Sequence, residues 1–254
     1  IQEILDLMEE ARLDYFLISD PQSIAYCTGY YNDPHERMFV FMISKHGNHT
    51  LFMNDLFYLE HDLDVNIVWH KDGQDAIQTI VDEMHFPGRI GIDKNWASHF
   101  LLDLMKKLPD AKYINASPCV DLVRMKKDLQ EQVLMIESSK INDAVMEEII
   151  PFIQEGVTEK QLAKKLDELF FNHHSTCYGA IVAFGKNAAD PHHENDDTPL
   201  RKGDCVLIDM GCVYKGYCSD MTRTFFYEGI LEEEIKIYEL CIFQSFKISE
   251  FSLW

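Results

Sequence analysis

The chain has 254 residues, 46% hydrophobic and 26% charged, a balance that fits a folded globular protein and excludes a disordered one. Its net charge of −20 speaks against a nucleic-acid surface, which needs clustered Lys and Arg, and no apolar run approaches the ~20 residues of a membrane-spanning helix. Seven cysteines, an odd number without C-x-x-C spacing, argue against a disulfide framework and for a reducing, cytoplasmic setting.

In chain order, Ile1 to Arg12 reads as an amphipathic helix with Ile1, Ile4, Leu5 and Met8 on one face. Leu13 to Ile18 reads as a short strand ended by Ser19-Asp20-Pro21. Met38 to Ile43 and Thr50 to Met53 read as strands joined across Lys45-His46-Gly47-Asn48. A strand at Ile67 to Trp69, a helix at Ala76 to Met84, a strand at Ile90 to Ile92 and a helix at Trp96 to Leu108 continue an α/β alternation. From Ser117 to Lys127 the pattern changes, and Pro118 opens a turn. Asp128 with Glu131 three residues on forms a capping-box signal for a long helix with Val133, Ile136, Ile141, Val145 and Ile149 as its apolar positions. These signals place a domain boundary at residue 120, giving domains 1–120 and 121–254. Gly156 stops that helix, and Thr158 caps another at Leu162 to Phe171.

Two apolar runs, Cys205 to Ile208 and Met221 to Tyr227, flank a turn at Tyr214-Lys215-Gly216, and Asp209 and Asp220 lie beside them. Aspartate is depleted in strands, so a pair of them in apolar context asks for an explanation. If Tyr214 and Lys215 form the hairpin tip, Asp209 faces Asp220 directly, β-carbons ~4.5–5.5 Å apart, whereas a bulge at Gly216 would shift the pairing by one. Two buried like charges at that distance call for a divalent cation between them. Upstream, Pro191-His192-His193-Glu194 adds imidazole, a metal ligand or proton-transfer group. Cys205, Cys212 and Cys218 read as small packing residues rather than a zinc site.

These residues carry a family resemblance. An Asp, ten intervening residues, a second Asp in SDMTRTF and an upstream His in NAADPHH resemble the metal-binding core of the creatinase/prolidase/methionine aminopeptidase, or pita-bread, metallopeptidases. The segment DPQSIAYCTGYYNDPHERMFVF resembles the N-terminal domain of the Xaa-Pro peptidase branch. The resemblance implies an α/β creatinase-like N-terminal domain followed by an incomplete α+β pita-bread catalytic domain. It further implies Asp209 and Asp220 as metal ligands, His192 as the catalytic group at the substrate, and two divalent ions. Oxygen ligands suit Mn²⁺, with Zn²⁺ and Co²⁺ as alternatives. The substrate implied is a small peptide with proline after the scissile bond, and the assembly a homodimer. Past Leu240 the resemblance stops, before the His and two Glu that complete the family's ligand set. The ending CIFQSFKISEFSLW reads as a chain cut short or altered, which implies a weakly active or inactive form. A non-catalytic pita-bread binding module and a creatinase-like hydrolase working without metal stand as alternatives.

Overall fold

The computed structural model describes residues 1–86 and 88–251, with side chains as far as Gln244; the remainder of the tail lies outside the described residues. The chain divides into two compact units, 1–126 and 127–254.

In the first unit, α1 (Gln2–Glu10), β1 (Tyr15–Ile18), α2 (Pro21–Thr28), β2 (Val40–Ser44), β3 (Thr50–Asn54), β4 (Asn66–His70), α3 (Ala76–Glu83), β5 (Arg89–Ile92), α4 (Ser98–Lys107), β6 (Lys112–Asn115) and α5 (Ser117–Met125) follow one another. The strands form one sheet in the order β4-β3-β2-β1-β5-β6. β1 runs parallel to β5 and antiparallel to β2. Both faces are covered, which is why β1 to β3 read as unbroken apolar runs. Phe16 and Ile18 pack with Ile4, Met8 and Val120 on one side, while Tyr15 and Leu17 pack with Ile77, Ile80 and Leu104 on the other. Two helices were not expected from the sequence. Asp20-Pro21 ends a strand but also starts α2, with Asp20 accepting from the Ser23 N–H and Pro21 in the first turn. Likewise Pro118 opens α5 rather than a turn, and α5 packs on α1, so the first unit runs past residue 120 to Lys126.

The second unit holds α6 (Leu129–Ile149), α7 (Glu159–Asn172), β7 (Thr176–Cys177), β8 (Ile181–Phe184), β9 (Cys205–Met210), β10 (Cys212–Tyr214), β11 (Tyr217–Cys218), β12 (Met221–Phe226) and α8 (Glu232–Phe251). Asp128 and Thr158 close full capping boxes with Glu131 and Gln161. The strands make two three-stranded sheets, β12-β9-β8 and β11-β10-β7. Along β9, Val206, Ile208 and Met210 pack with Val145 and Ile149 of α6 and with Leu166 and Phe170 of α7. The buried face of α6 differs from the apolar stripe expected. Val133 and Ile136 are exposed, while Ser138 and Asn142 are buried and donate to the carbonyls of Cys212 and Met210. Their donors are satisfied by backbone acceptors, although Asn142 Oδ1 meets no partner among the described residues, and such buried polar side chains leave no apolar signature.

The hairpin register also corrects the sequence reading. Tyr214 pairs with Tyr217, Val213 with Cys218 and Asp209 with Thr222. The two-residue tip is therefore Lys215-Gly216, with φ +48° and +85°. Positive φ at both central residues is the turn whose twist matches the strands. Asp209 and Asp220 are not directly opposite each other. The backbone of α8 continues past Leu240 to Phe251, and nothing from 232 to 251 is Gly or Pro to stop it. Among the described residues no helix is long and apolar enough to cross a membrane.

Lys215 in a left-handed conformation costs about 1–2 kcal/mol that glycine would not. Lys215→Gly is expected to raise the thermal midpoint of the chain, and Gly216→Val to lower it by the converse effect. Scanning calorimetry on the two variants reads both signs.

Candidate metal and substrate site

Alternation along β9 decides where Asp209 goes. Val206, Ile208 and Met210 turn toward α6 and α7, so Cys205, Leu207 and Asp209 turn to the other face of the sheet. Across the ladder Asp209 lies between Ile181 of β8 and Thr222 of β12. Asp220 precedes Thr222 by two residues and so shares its face. It stands diagonal to Asp209, where neighbours in a regular ladder are ~7–8 Å apart and their β-carbons somewhat closer. Asp209 is half-buried and Asp220 exposed, so the pair is less desolvated than two facing buried acids would be.

The hairpin bends between the two acids. The Ser219 N–H donates to the Cys212 carbonyl at 3.0 Å, which puts Asp220 level with Gly211. A β-carbon on Gly211 would fall 2.2 Å from the Ser219 carbonyl oxygen and 2.3 Å from the Tyr178 hydroxyl, so only glycine allows this approach. Tyr178 is tied to the same place, its hydroxyl donating to the Ser219 carbonyl at 2.7 Å. Burial pushes the Tyr178 pKa up, and the negative charges of Asp220, Cys218 and Asp209 push it further. Both aspartates therefore act on one tyrosine.

The acceptor sites of the pair are open. The Thr222 hydroxyl donates to Asp209 Oδ1 at 2.7 Å; among the described residues, no donor meets Asp209 Oδ2 or either oxygen of Asp220. Oxygen acceptors that no protein donor occupies suit a hard divalent cation.

A second group, Glu159, His193 and Asp196, lies close enough together to hold an ion. Its acceptors are already in use. Glu159 Oε1 accepts from the Phe184 N–H and Asn187 Nδ2, both at 2.9 Å. Its Oε2 accepts from the Asp196 N–H at 3.0 Å and lies 2.6 Å from His193 Nε2. Hydrogen bonds from the Thr198 hydroxyl and N–H hold the Asp196 carboxyl below the usual range, with His193 adding to the effect. This group is a knot joining the start of α7 to the loop that follows β8.

That loop carries His192. Its N–H donates to Asp190 Oδ1 at 3.0 Å, and its exposed ring meets no protein partner among the described residues. Asn195 bolts the loop to the edge of β8, accepting from the Val182 N–H and donating to the Ala180 carbonyl, both at 2.7 Å. Sequence reasoning passed over Tyr178, Glu159 and Asn195. The cap signal Thr158-Glu159-Lys160-Gln161 marked a helix start, yet nothing in it said that Glu159 would be buried.

Residues 1–126 match the creatinase/prolidase N-terminal domain, and residues 133–244 match metallopeptidase family M24. A dipeptidase from Pyrococcus horikoshii OT3 superposes with a TM-score of 0.83 at 31% identity, over 94% of this chain and 68% of its own. The chain belongs to metallopeptidase family M24. It is a creatinase-type α/β domain followed by part of a pita-bread catalytic domain. A Xaa-Pro dipeptidase from Bacillus anthracis superposes with a TM-score of 0.81 at 25% identity, over 94% of this chain and 67% of its own. An uncharacterized peptidase of Staphylococcus aureus (strain bovine RF122 / ET3-1) is 27% identical over 95% of this chain and 70% of its own length.

The shared influence of the two acids on Tyr178 makes a prediction. Asp220→Asn should lower the Tyr178 pKa from its raised value. NMR titration of ring-¹³C-labelled tyrosine reads it, and an unchanged Tyr178 curve would contradict the placement of Asp220 beside it.

Proposed function

We propose that this chain carries the N-terminal part of the site of a metal-dependent peptidase acting on small peptides with proline after the scissile bond. One observation supports this reading above the others: Asp209 and Asp220 emerge on the same face of the β9–β12 hairpin with acceptor oxygens unclaimed. Asp209 and Asp220 would hold the metal, for which their all-oxygen donor set favours Mn²⁺ over thiolate-seeking ions. When bound, divalent ions lower the pKa of a coordinated water and polarise a carbonyl. The chain's own contribution is then positional. Gly211 and Tyr178 fix the bend that sets one aspartate beside the other, and His192, whose ring meets no partner among the described residues, offers an imidazole to hydrogen-bond the peptide or move a proton. The preference for proline draws its support from the likeness to the B. anthracis Xaa-Pro dipeptidase. Assembly as a homodimer belongs to the same proposal.

Two carboxylates leave most of an ion's coordination shell to water, so this chain alone is expected to bind Mn²⁺ weakly. The kinetic test therefore uses the chain joined to the C-terminal segment of the P. horikoshii dipeptidase, with an X-Pro dipeptide and Mn²⁺. Asp209→Asn and Asp220→Asn should each remove Mn²⁺-dependent hydrolysis and lower the metal content. His192→Ala should leave metal content intact and lower turnover by ~10²–10⁴-fold, the usual contribution of a positioned acid–base group. Full turnover in either Asn variant would favour the metal-independent hydrolase instead.

A further inference from the structure

Two histidines stand side by side at 192 and 193, and the structure treats them in opposite ways. His193 is drawn inward onto Glu159 at 2.6 Å, whereas the His192 ring is exposed and unpartnered among the described residues. Glu159 is fully buried, the first residue of α7 after its Thr158 cap. An ionised carboxylate at that depth is costly unless its lone pairs are filled. Here four donors fill them, and the positive end of the helix favours the charge.

Those donors come from two places. The Phe184 N–H and Asn187 precede the His192 turn in sequence, while His193 and the Asp196 N–H follow it. A single carboxylate thus closes 184–196 into a loop pinned at both ends. The carbonyls of Asp196 and Thr198 add to the pinning by accepting from the Lys160 and Glu159 N–H groups, first-turn donors that a helix cannot satisfy itself. An ionised carboxylate only accepts, so the contact to Glu159 as an ionised group requires a proton on His193 Nε2. With His193 committed inward, its neighbour projects outward.

We propose that Glu159 is a positioning residue for His192: by capturing His193 and both ends of the loop, it fixes the direction in which the His192 ring faces. The functional weight of this rests on His192 being the substrate-facing group, as read above; the geometry does not.

Side-chain ¹⁵N NMR of the labelled chain, without metal or substrate, tests it, with signals assigned through His192→Gln and His193→Gln. The parent should show an Nε2-protonated, hydrogen-bonded His193. Glu159→Gln keeps the side-chain size and removes the charge. It should lose that signature and shift the His192 ring signals. Val145→Ala, which loosens the same core away from the loop, should leave both unmoved. Unshifted His192 signals in Glu159→Gln, or an equal shift in Val145→Ala, would overturn the proposal. Should Glu159→Gln fail to fold, His193→Gln decides in its place, a shifted His192 signal supporting the proposal and an unmoved one overturning it. A chain that hydrolyses nothing leaves this result standing, so the two readings fail separately.

Discussion

The site depends on one constraint, the alternation of side chains along β9. Val206, Ile208 and Met210 must be covered by α6 and α7, and that requirement commits Asp209 to the opposite face. A slip of one residue would turn the three apolar side chains outward and bury the carboxylate, so packing enforces the register strongly. Once β9 is fixed, the Lys215-Gly216 turn fixes β12 against it, and Asp220 follows onto the same face. The acids are thus held in place by apolar burial and turn geometry on residues that carry no chemistry themselves.

The two carboxylate groups of the unit differ in how fully protein donors occupy them. Glu159 has every lone pair filled by protein donors and sits in the interior, where such completeness is the condition for burying a charge at all. Asp209 and Asp220 keep acceptors open at the surface of the sheet. Proximity alone would rank the Glu159, His193 and Asp196 group first as an ion site, because its atoms converge most closely. Counting donors reverses the order.

Much of this was legible in the sequence because it rested on local signals. The caps at Asp128 and Thr158, the strands of the first sheet and the two arms of the hairpin all follow from side-chain pattern and short-range hydrogen bonding. The hairpin register was not legible. Tyr214-Lys215 and Lys215-Gly216 are neighbouring choices for the tip, and placing Lys215 at positive φ runs against its intrinsic preference. Ser138, Asn142 and Glu159 escaped for a different reason. Periodicity arguments look for apolar residues, whereas these are buried polar groups whose justification is a partner distant in sequence. The bend at Gly211 is of the same kind, since its need for glycine comes from Ser219 and Tyr178 across the fold.

The measurement that bears most directly on the site is the crystal structure of the chain joined to the C-terminal segment of the P. horikoshii dipeptidase, grown with Mn²⁺, with the ion located by its anomalous scattering. The account predicts a manganese peak between the carboxylates of Asp209 and Asp220, and none among Glu159, His193 and Asp196. Aspartates bare of metal, or a peak at the Glu159 group, would contradict it.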